Sequence, residues 1–379
     1  MKETDSPAAR IARKDIDALF AALKAEGYAL VGPTVRDEVI VFDDIDGADD
    51  LPIGWRDEQE AGTYRLKRRD DSALFGYNVG PHSWKKFLFP PREKLWSAEK
   101  MPHAIVFNPE PSDAPQYAFI GVRACDIHAI RTQDKVFMNE YHANPRYTAR
   151  REKAFILAVN CGQAAKTCFC TSMNTGPKVE DGFDLALTEI INGDDHYFVV
   201  EAGTEQGKAI LDQIPHRTAT ENDLKSAAAC TENAKREMGR TLDTTNIKDL
   251  LYNNYENPRW EIVAERCLTC ANCTMVCPTC FCSTVEDTTD LTGDHAERWQ
   301  TWDSCFTMDF THLHGAGSVR HSAKSRYRQW MTHKLGTWID QFGTSGCVGC
   351  GRCIAWCPVG IDITEELAAI RESDGEKND

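Results

Sequence analysis

The chain has 379 residues, 42% of them hydrophobic, and 43 Lys and Arg against 58 Asp and Glu give it a net charge of −15. That acidity excludes the basic face that nucleic-acid binding requires, and no apolar run approaches a membrane span. The length suits two domains, or one large domain and a small one; the polar start, MKETDSPAARIARKD, lacks the apolar core of a signal peptide, so a cytoplasmic protein is expected.

In chain order, the first predicted element is an amphipathic helix between Pro7 and Gly27. Ile16, Leu19, Phe20 and Leu23 recur at helical spacing and Gly27 supplies the stop. Short strands follow at Val39–Asp43, Thr63–Lys67 and Ala104–Phe107, and the Pro- and aromatic-rich stretch Gly80–Trp96 reads as a loop and short helix covering a core. Tyr117–Val122 (YAFIGV) and Phe155–Asn160 (FILAVN) are short apolar runs of the kind that make buried strands, and each stops just before a cysteine. Phe183–Ile190 and Tyr197–Val200 read as a hairpin turning at Asn192–Asp195 (NGDD). The expected organisation is an α/β (α+β) domain over 1–218, a polar helical connector over 219–256, and a cysteine-rich domain over 257–379.

That last domain holds two cysteine runs. CLTCANCTMVCP supplies Cys267, Cys270, Cys273 and Cys277 before Pro278; CVGCGRCIAWCP supplies Cys347, Cys350, Cys353 and Cys357 before Pro358. Each is C-x₂-C-x₂-C-x₃-C-P. In this spacing three thiolates of one tight loop cap three irons of a cubane, while the fourth ligates the neighbouring cluster. The expectation is a ferredoxin-like fold with two [4Fe–4S] clusters, one on Cys267, Cys270, Cys273 and Cys357, the other on Cys347, Cys350, Cys353 and Cys277. Zinc is the alternative, but it usually takes separated cysteine pairs. Disulfides belong mostly to short exported chains, so the 16 cysteines point to ligands.

Residues 283–345 read as a long insertion between the two runs. Its aromatics, in WDSCF (Trp302–Phe306) and RYRQWMTHKLGTW (Arg326–Trp338), are expected to pack around the clusters, and Arg326, Arg328 and Lys334 offer docking cations. Apart from the two cysteine runs no internal repeat stands out.

A second set, Cys125, Cys161, Cys168 and Cys170, lies in the N-terminal portion, two of its members just past strand ends where α/β folds collect ligands. Two readings stay open: a third iron–sulfur site, or buried free thiols packing as small hydrophobes. A flavin is a further option without a GxGxxG fingerprint to support it. Cys280 and Cys282 follow the first run closely and offer further ligands, but packing in the core around the clusters is the favoured reading; Cys305 and Cys230 read as structural. No Ser/His/Asp or HExxH pattern appears, so electrons are expected to move through clusters, with no separate catalytic centre.

KKFLFPPREKL, GVRACDIHAI, CFCTSM, CxxCxxCxxxCPTCFC, RWQTWDSCF and GCVGCGRCIAWCP run from Lys85 to Pro358. Together they resemble the family that holds the beta subunits of cytoplasmic sulfhydrogenases (NAD(P)-linked [NiFe] hydrogenases) and the A subunit of anaerobic sulfite reductase. The resemblance implies an electron-transfer subunit with [4Fe–4S] clusters on the eight ferredoxin cysteines, and it adds weight to a site on the N-terminal set. It also implies partners: an FAD/NAD(P)-binding flavoprotein, and either [NiFe] hydrogenase large and small subunits or a sirohaem sulfite reductase subunit. KKFLFPPREKL and WDSC lean toward the hydrogenase branch. A sulfur or polysulfide reductase, and an adaptor that uses clusters as structural staples, are the rival readings.

Overall fold

Apolar runs too short for helices build the centre of an eight-stranded sheet. Phe155–Val159 is buried at every position and Tyr117–Val122 at all but its first. The order across the sheet is Arg217–Thr218, Ala9–Ala12, Asp195–Ala202, Leu185–Asn192, Phe155–Val159, Tyr117–Val122, Ala29–Arg36 and Val39–Asp44. The middle pairings are parallel and those toward both edges antiparallel. Strands buried on both faces need cover on both. Helices Ile16–Ala25 and Glu205–Leu211 cover one face with Leu19, Phe20, Leu23 and Ile210; helices Ala124–Phe137 and Pro145–Glu152 cover the other with Ile127, Ile130 and Tyr147. This computed structural model describes residues 7–111 and 114–378; residues 1–6, part of the polar N-terminal stretch, lie outside the described residues.

The first helix starts at Ile16, not Pro7. Ala9–Ala12 is a strand paired with Tyr197–Val200, because Ala9 and Ile11 are buried in alternation with Arg10 and Ala12, a period of two. The 183–200 hairpin turns where the NGDD signal places it, with Asn192 opposite Asp195. Within Gly80–Trp96 the short helix is Lys85–Leu88, but a strand already begins at Arg92.

That strand belongs to a second sheet, ordered Ser283–Thr289, His295–Trp302, Arg92–Met101, Ala104–Pro109. The residues after the first cysteine run thus add a hairpin to strands from the N-terminal half, His295 facing Glu99. Farther along, helix Ala323–Thr332 runs through a π-helical turn, His333–Thr337, into Trp338–Phe342. Tyr327, Trp330, Met331 and Leu335 join Trp260, Phe306, Ile354 and Leu367 in a separate core, against which Cys267, Cys273, Cys305, Cys353 and Cys357 pack. Among the described residues no helix is long and apolar enough to cross a membrane.

Candidate metal centre

The two cysteine loops adopt the same backbone. Each turns left-handed at the second and fourth residues after its first cysteine: Thr269 (φ 51°) and Ala271 (φ 66°) in one, Gly349 (φ 64°) and Gly351 (φ 75°) in the other. The turn aims an amide back at the first thiol, so Thr269 N–H donates to Cys267 Sγ and Gly349 N–H to Cys347 Sγ, both at 3.4 Å. A one-turn helix then carries each third cysteine, Asn272–Met275 and Arg352–Ala355. Thr269 and Ala271 accept the strain that residues with a Cβ meet at positive φ. The second loop needs glycine for a further reason: a Cβ at Gly349 would meet Phe169 O at 2.6 Å, and one at Gly351 would meet Thr167 O at 2.4 Å.

Cys267, Cys270 and Cys273 share a cavity of about 30 Å³ with Cys353 and Cys357 from the other run, walled by Phe306, Tyr327, Trp330 and Ile361. Ile361 N–H donates to Cys357 Sγ at 3.3 Å. Burial pushes the Cys273 thiol well up, and the facing Cys267, Cys357 and Cys270 push it further. The second group behaves alike: burial and then Cys347, Cys350 and Cys277 raise Cys353. Thiols crowded this way cannot all ionise without a positive charge among them, which iron supplies, so the donor sets fit iron–sulfur clusters. Among the described residues no three His, Cys, Asp or Glu side chains stand where they could hold one metal ion. Cys270 is exposed, whereas Cys277, Cys347 and Cys350 are buried.

The N-terminal cysteines pack onto the second loop. Cys125, in the first turn of Ala124–Phe137, and Cys170 join Cys350, Val79, Ala129 and Val348 in one apolar cluster. Phe169 N–H donates to Gly349 O at 2.8 Å, and Cys168 Sγ lies 3.9 Å from Cys350 O. Cys168 is half-buried as a residue but its thiol faces inward; burial and then Cys161 push it up to about 12. Cys161 follows strand Phe155–Val159, and its thiol is raised by burial and held back by the charge of Arg123. The fold therefore brings Cys161, Cys168 and Cys170 within electrostatic reach of one another, with Cys125 against Cys170. Cys230, on helix Glu221–Arg236, has its Sγ 3.8 Å from Glu189 O and lies within electrostatic reach of Cys161. All sixteen cysteines are free.

The docking role expected for Arg326, Arg328 and Lys334 is corrected. Arg326 is buried and donates to the carbonyls of Arg320, Phe306 and His321, while Arg328 lies 3.4 Å over the Tyr255 ring and binds Tyr255 O. Lys334 is buried, with Nζ 3.3 Å from Cys277 Sγ, 3.5 Å from Cys280 Sγ and 3.1 Å from Thr279 Oγ1. A hydrogen bond from Cys280, and then the Lys334 ammonium, hold Cys277 well below the ordinary thiol range despite burial. A second internal repeat also emerges: Thr-Cys-Phe-Cys occurs at Thr167–Cys170 and at Thr279–Cys282, and both copies bond to the second loop, the later one through Thr279 Oγ1 to Gly346 O at 2.6 Å.

These features define an iron–sulfur protein, a two-cluster ferredoxin unit packed on a mixed α/β sheet. The 4Fe-4S dicluster domain family model matches residues 266–361. The chain is 32% identical to Sulfhydrogenase 2 subunit beta of Pyrococcus furiosus over 290 residues, which span 76% of this chain and 82% of that one. It belongs to the sulfhydrogenase beta-subunit family. No solved structure matches it.

Proposed function

We propose that this chain is the electron-relay subunit of a cytoplasmic hydrogenase complex, passing electrons between an FAD/NAD(P)-binding flavoprotein and [NiFe] hydrogenase large and small subunits. The observation that carries the reading is the cavity in which Cys267, Cys270 and Cys273 of the first run meet Cys353 and Cys357 of the second, so that the two runs interleave. In this reading Cys267, Cys270, Cys273 and Cys357 hold one [4Fe–4S] cluster and Cys347, Cys350, Cys353 and Cys277 the other, with residues 283–345 inserted between the runs. Each cluster, when bound, accepts and returns one electron. The chain does the rest: amide donors on Cys267, Cys347 and Cys357 and the ammonium on Cys277 favour added negative charge, and Tyr327 and Trp330 keep water out.

Exposed Cys270 gives the first set a way to the surface, while the second set, with Cys277, Cys347 and Cys350 buried, faces the α/β domain. Cys125, Cys161, Cys168 and Cys170 beside Cys350 form the site of a third cluster, which extends the path into residues 1–218, with 219–256 as connector. The relative's name, a sulfhydrogenase subunit, supports the hydrogenase partners. The outer strand Ala104–Pro109, with Ile105 and Phe107 exposed, is an open edge suited to a partner subunit.

The test is anaerobic purification of the native complex, with EPR of this subunit's clusters after H₂ and after NAD(P)⁺. Reduction by H₂ and reoxidation by NAD(P)⁺ is the predicted result; clusters that respond to sulfite and not to H₂ would assign the chain to a sulfite reductase instead.

A further inference from the structure

Besides Cys230, three thiols belong to neither ferredoxin set nor to the N-terminal set: Cys280, Cys282 and Cys305. The second sheet brings them together. Ser283 pairs with Trp302 at the end of the ladder, and Asp303 N–H donates to Cys282 O at 2.8 Å. Cys305 follows two residues later, which sets its thiol beside that of Cys282. Cys280 lies beside them: its Sγ and that of Cys277 meet the same Lys334 Nζ, and it is within electrostatic reach of Cys282. All three are half-buried.

Two buried lysines face them. Lys334 is 4% exposed and Lys85 6%. Lys334 Nζ reaches Cys280 Sγ as well as Cys277; Lys85 Nζ donates to Cys280 O at 3.0 Å and sits 3.8 Å over the Trp302 ring. Among the described residues neither forms an ion pair with a carboxylate; the negative groups nearest to both are cysteines. A buried ammonium without an anion is costly, so two buried lysines over one group of thiols suit an anionic group seated among them. Thiolate-ligated iron–sulfur clusters are net anions. A single metal ion does not fit, because no three donors among the described residues stand where they could hold one. The eight ferredoxin cysteines fail that same test, so it does not speak against a cluster. The Thr-Cys-Phe-Cys copy at Thr279–Cys282 repeats the donor spacing of Thr167–Cys170 and flanks the same ferredoxin loop from another side.

We infer that Cys280, Cys282 and Cys305 hold an iron–sulfur cluster of their own beside the Cys277 set, with Lys85 and Lys334 as its counter-cations. Three thiolates leave one iron of a cubane to a ligand other than cysteine. The site lies between the ferredoxin core and the second sheet, because Cys280 and Cys282 follow the first run while Cys305 follows the strand His295–Trp302.

The test compares iron and acid-labile sulfide in the anaerobically purified chain and in a variant carrying Cys282→Ser with Cys305→Ser. Iron should fall by about four per chain while the EPR signals of the ferredoxin clusters persist. Unchanged iron overturns the site and leaves a simple thiol pair. If the variant loses all its iron through misfolding, native alkylation of the wild-type chain decides. Cys280, Cys282 and Cys305 should resist iodoacetamide until the iron is chelated; labelling before chelation overturns the site. A wild-type chain without any iron would instead defeat the electron-relay reading itself, so the two failures are distinct.

Discussion

Arg352 Nη2 lies 2.9 Å from Asp126 Oδ1 with both side chains withdrawn from water, 0% and 1% exposed. The pair joins the second ferredoxin loop to the first turn of helix Ala124–Phe137, one residue from Cys125, and Arg352 Nε also donates to Gly80 O at 3.0 Å. It is the tie between the cluster-bearing core and the sheet. Removing one partner strands a charge in a dry interior, which costs about 3–5 kcal/mol. Asp126→Ala should lower the denaturant midpoint accordingly, and adding Arg352→Met should recover part of the loss. A double variant no more stable than Asp126→Ala would show that the ion pair is not the source of the effect.

Crossed ligation makes an unusual forecast for Cys357. Cys357→Ser should damage the cluster whose other ligands are Cys267, Cys270 and Cys273, and spare the one held by the rest of its own run. EPR and iron counting on the anaerobic protein separate the outcomes; loss of the Cys347–Cys353 cluster instead would reverse the assignment.

Lys334 Nζ stands 3.3 Å from Cys277 Sγ. A positive charge there favours the reduced, more negative cluster. Lys334→Met should lower that cluster's midpoint potential, on the order of 100–200 mV at an effective dielectric constant of about 20. Lys334→Arg should keep most of the potential. An unchanged potential in the methionine variant would remove the ammonium from the tuning.

Gly351→Ala should loosen the contact between the second loop and Thr167–Cys170. The new methyl would meet Thr167 O at 2.4 Å, at a φ of 75°. Overpacking of this kind costs about 1–3 kcal/mol, read as a lower unfolding midpoint and faster cluster loss in air. The matching position in the first loop is already alanine, Ala271, so Ala271→Gly should be nearly silent there.

Cys168→Ala bears on the N-terminal set alone. Iron should drop by about one cluster if that set binds iron, with the ferredoxin signals intact. Unchanged iron would return those thiols to the core as packing residues.

The parts of this molecule legible in the sequence are those whose chemistry is local. The cysteine runs announce themselves because one loop supplies three ligands, and the 183–200 hairpin because its turn and both strands are contiguous. Ala9–Ala12 is too short for its alternation to outweigh the helical pattern from Ile16 onward. Arg92–Met101 is half-exposed, and one of its two partners, His295–Trp302, lies far along the chain, so no local period marks it as a strand. Lys334 looks like a surface cation in a polar helix; only the fold reveals that it points at Cys277. The Thr-Cys-Phe-Cys repeat was visible as letters, but its meaning depends on both copies reaching one loop.

The most direct measurement is an EPR-monitored redox titration of the anaerobically purified chain, with iron counted on the same sample. The account predicts at least two [4Fe–4S] clusters per chain, about eight irons or more, that reduce and reoxidise reversibly. Iron that never changes oxidation state, or fewer than two clusters, would contradict it.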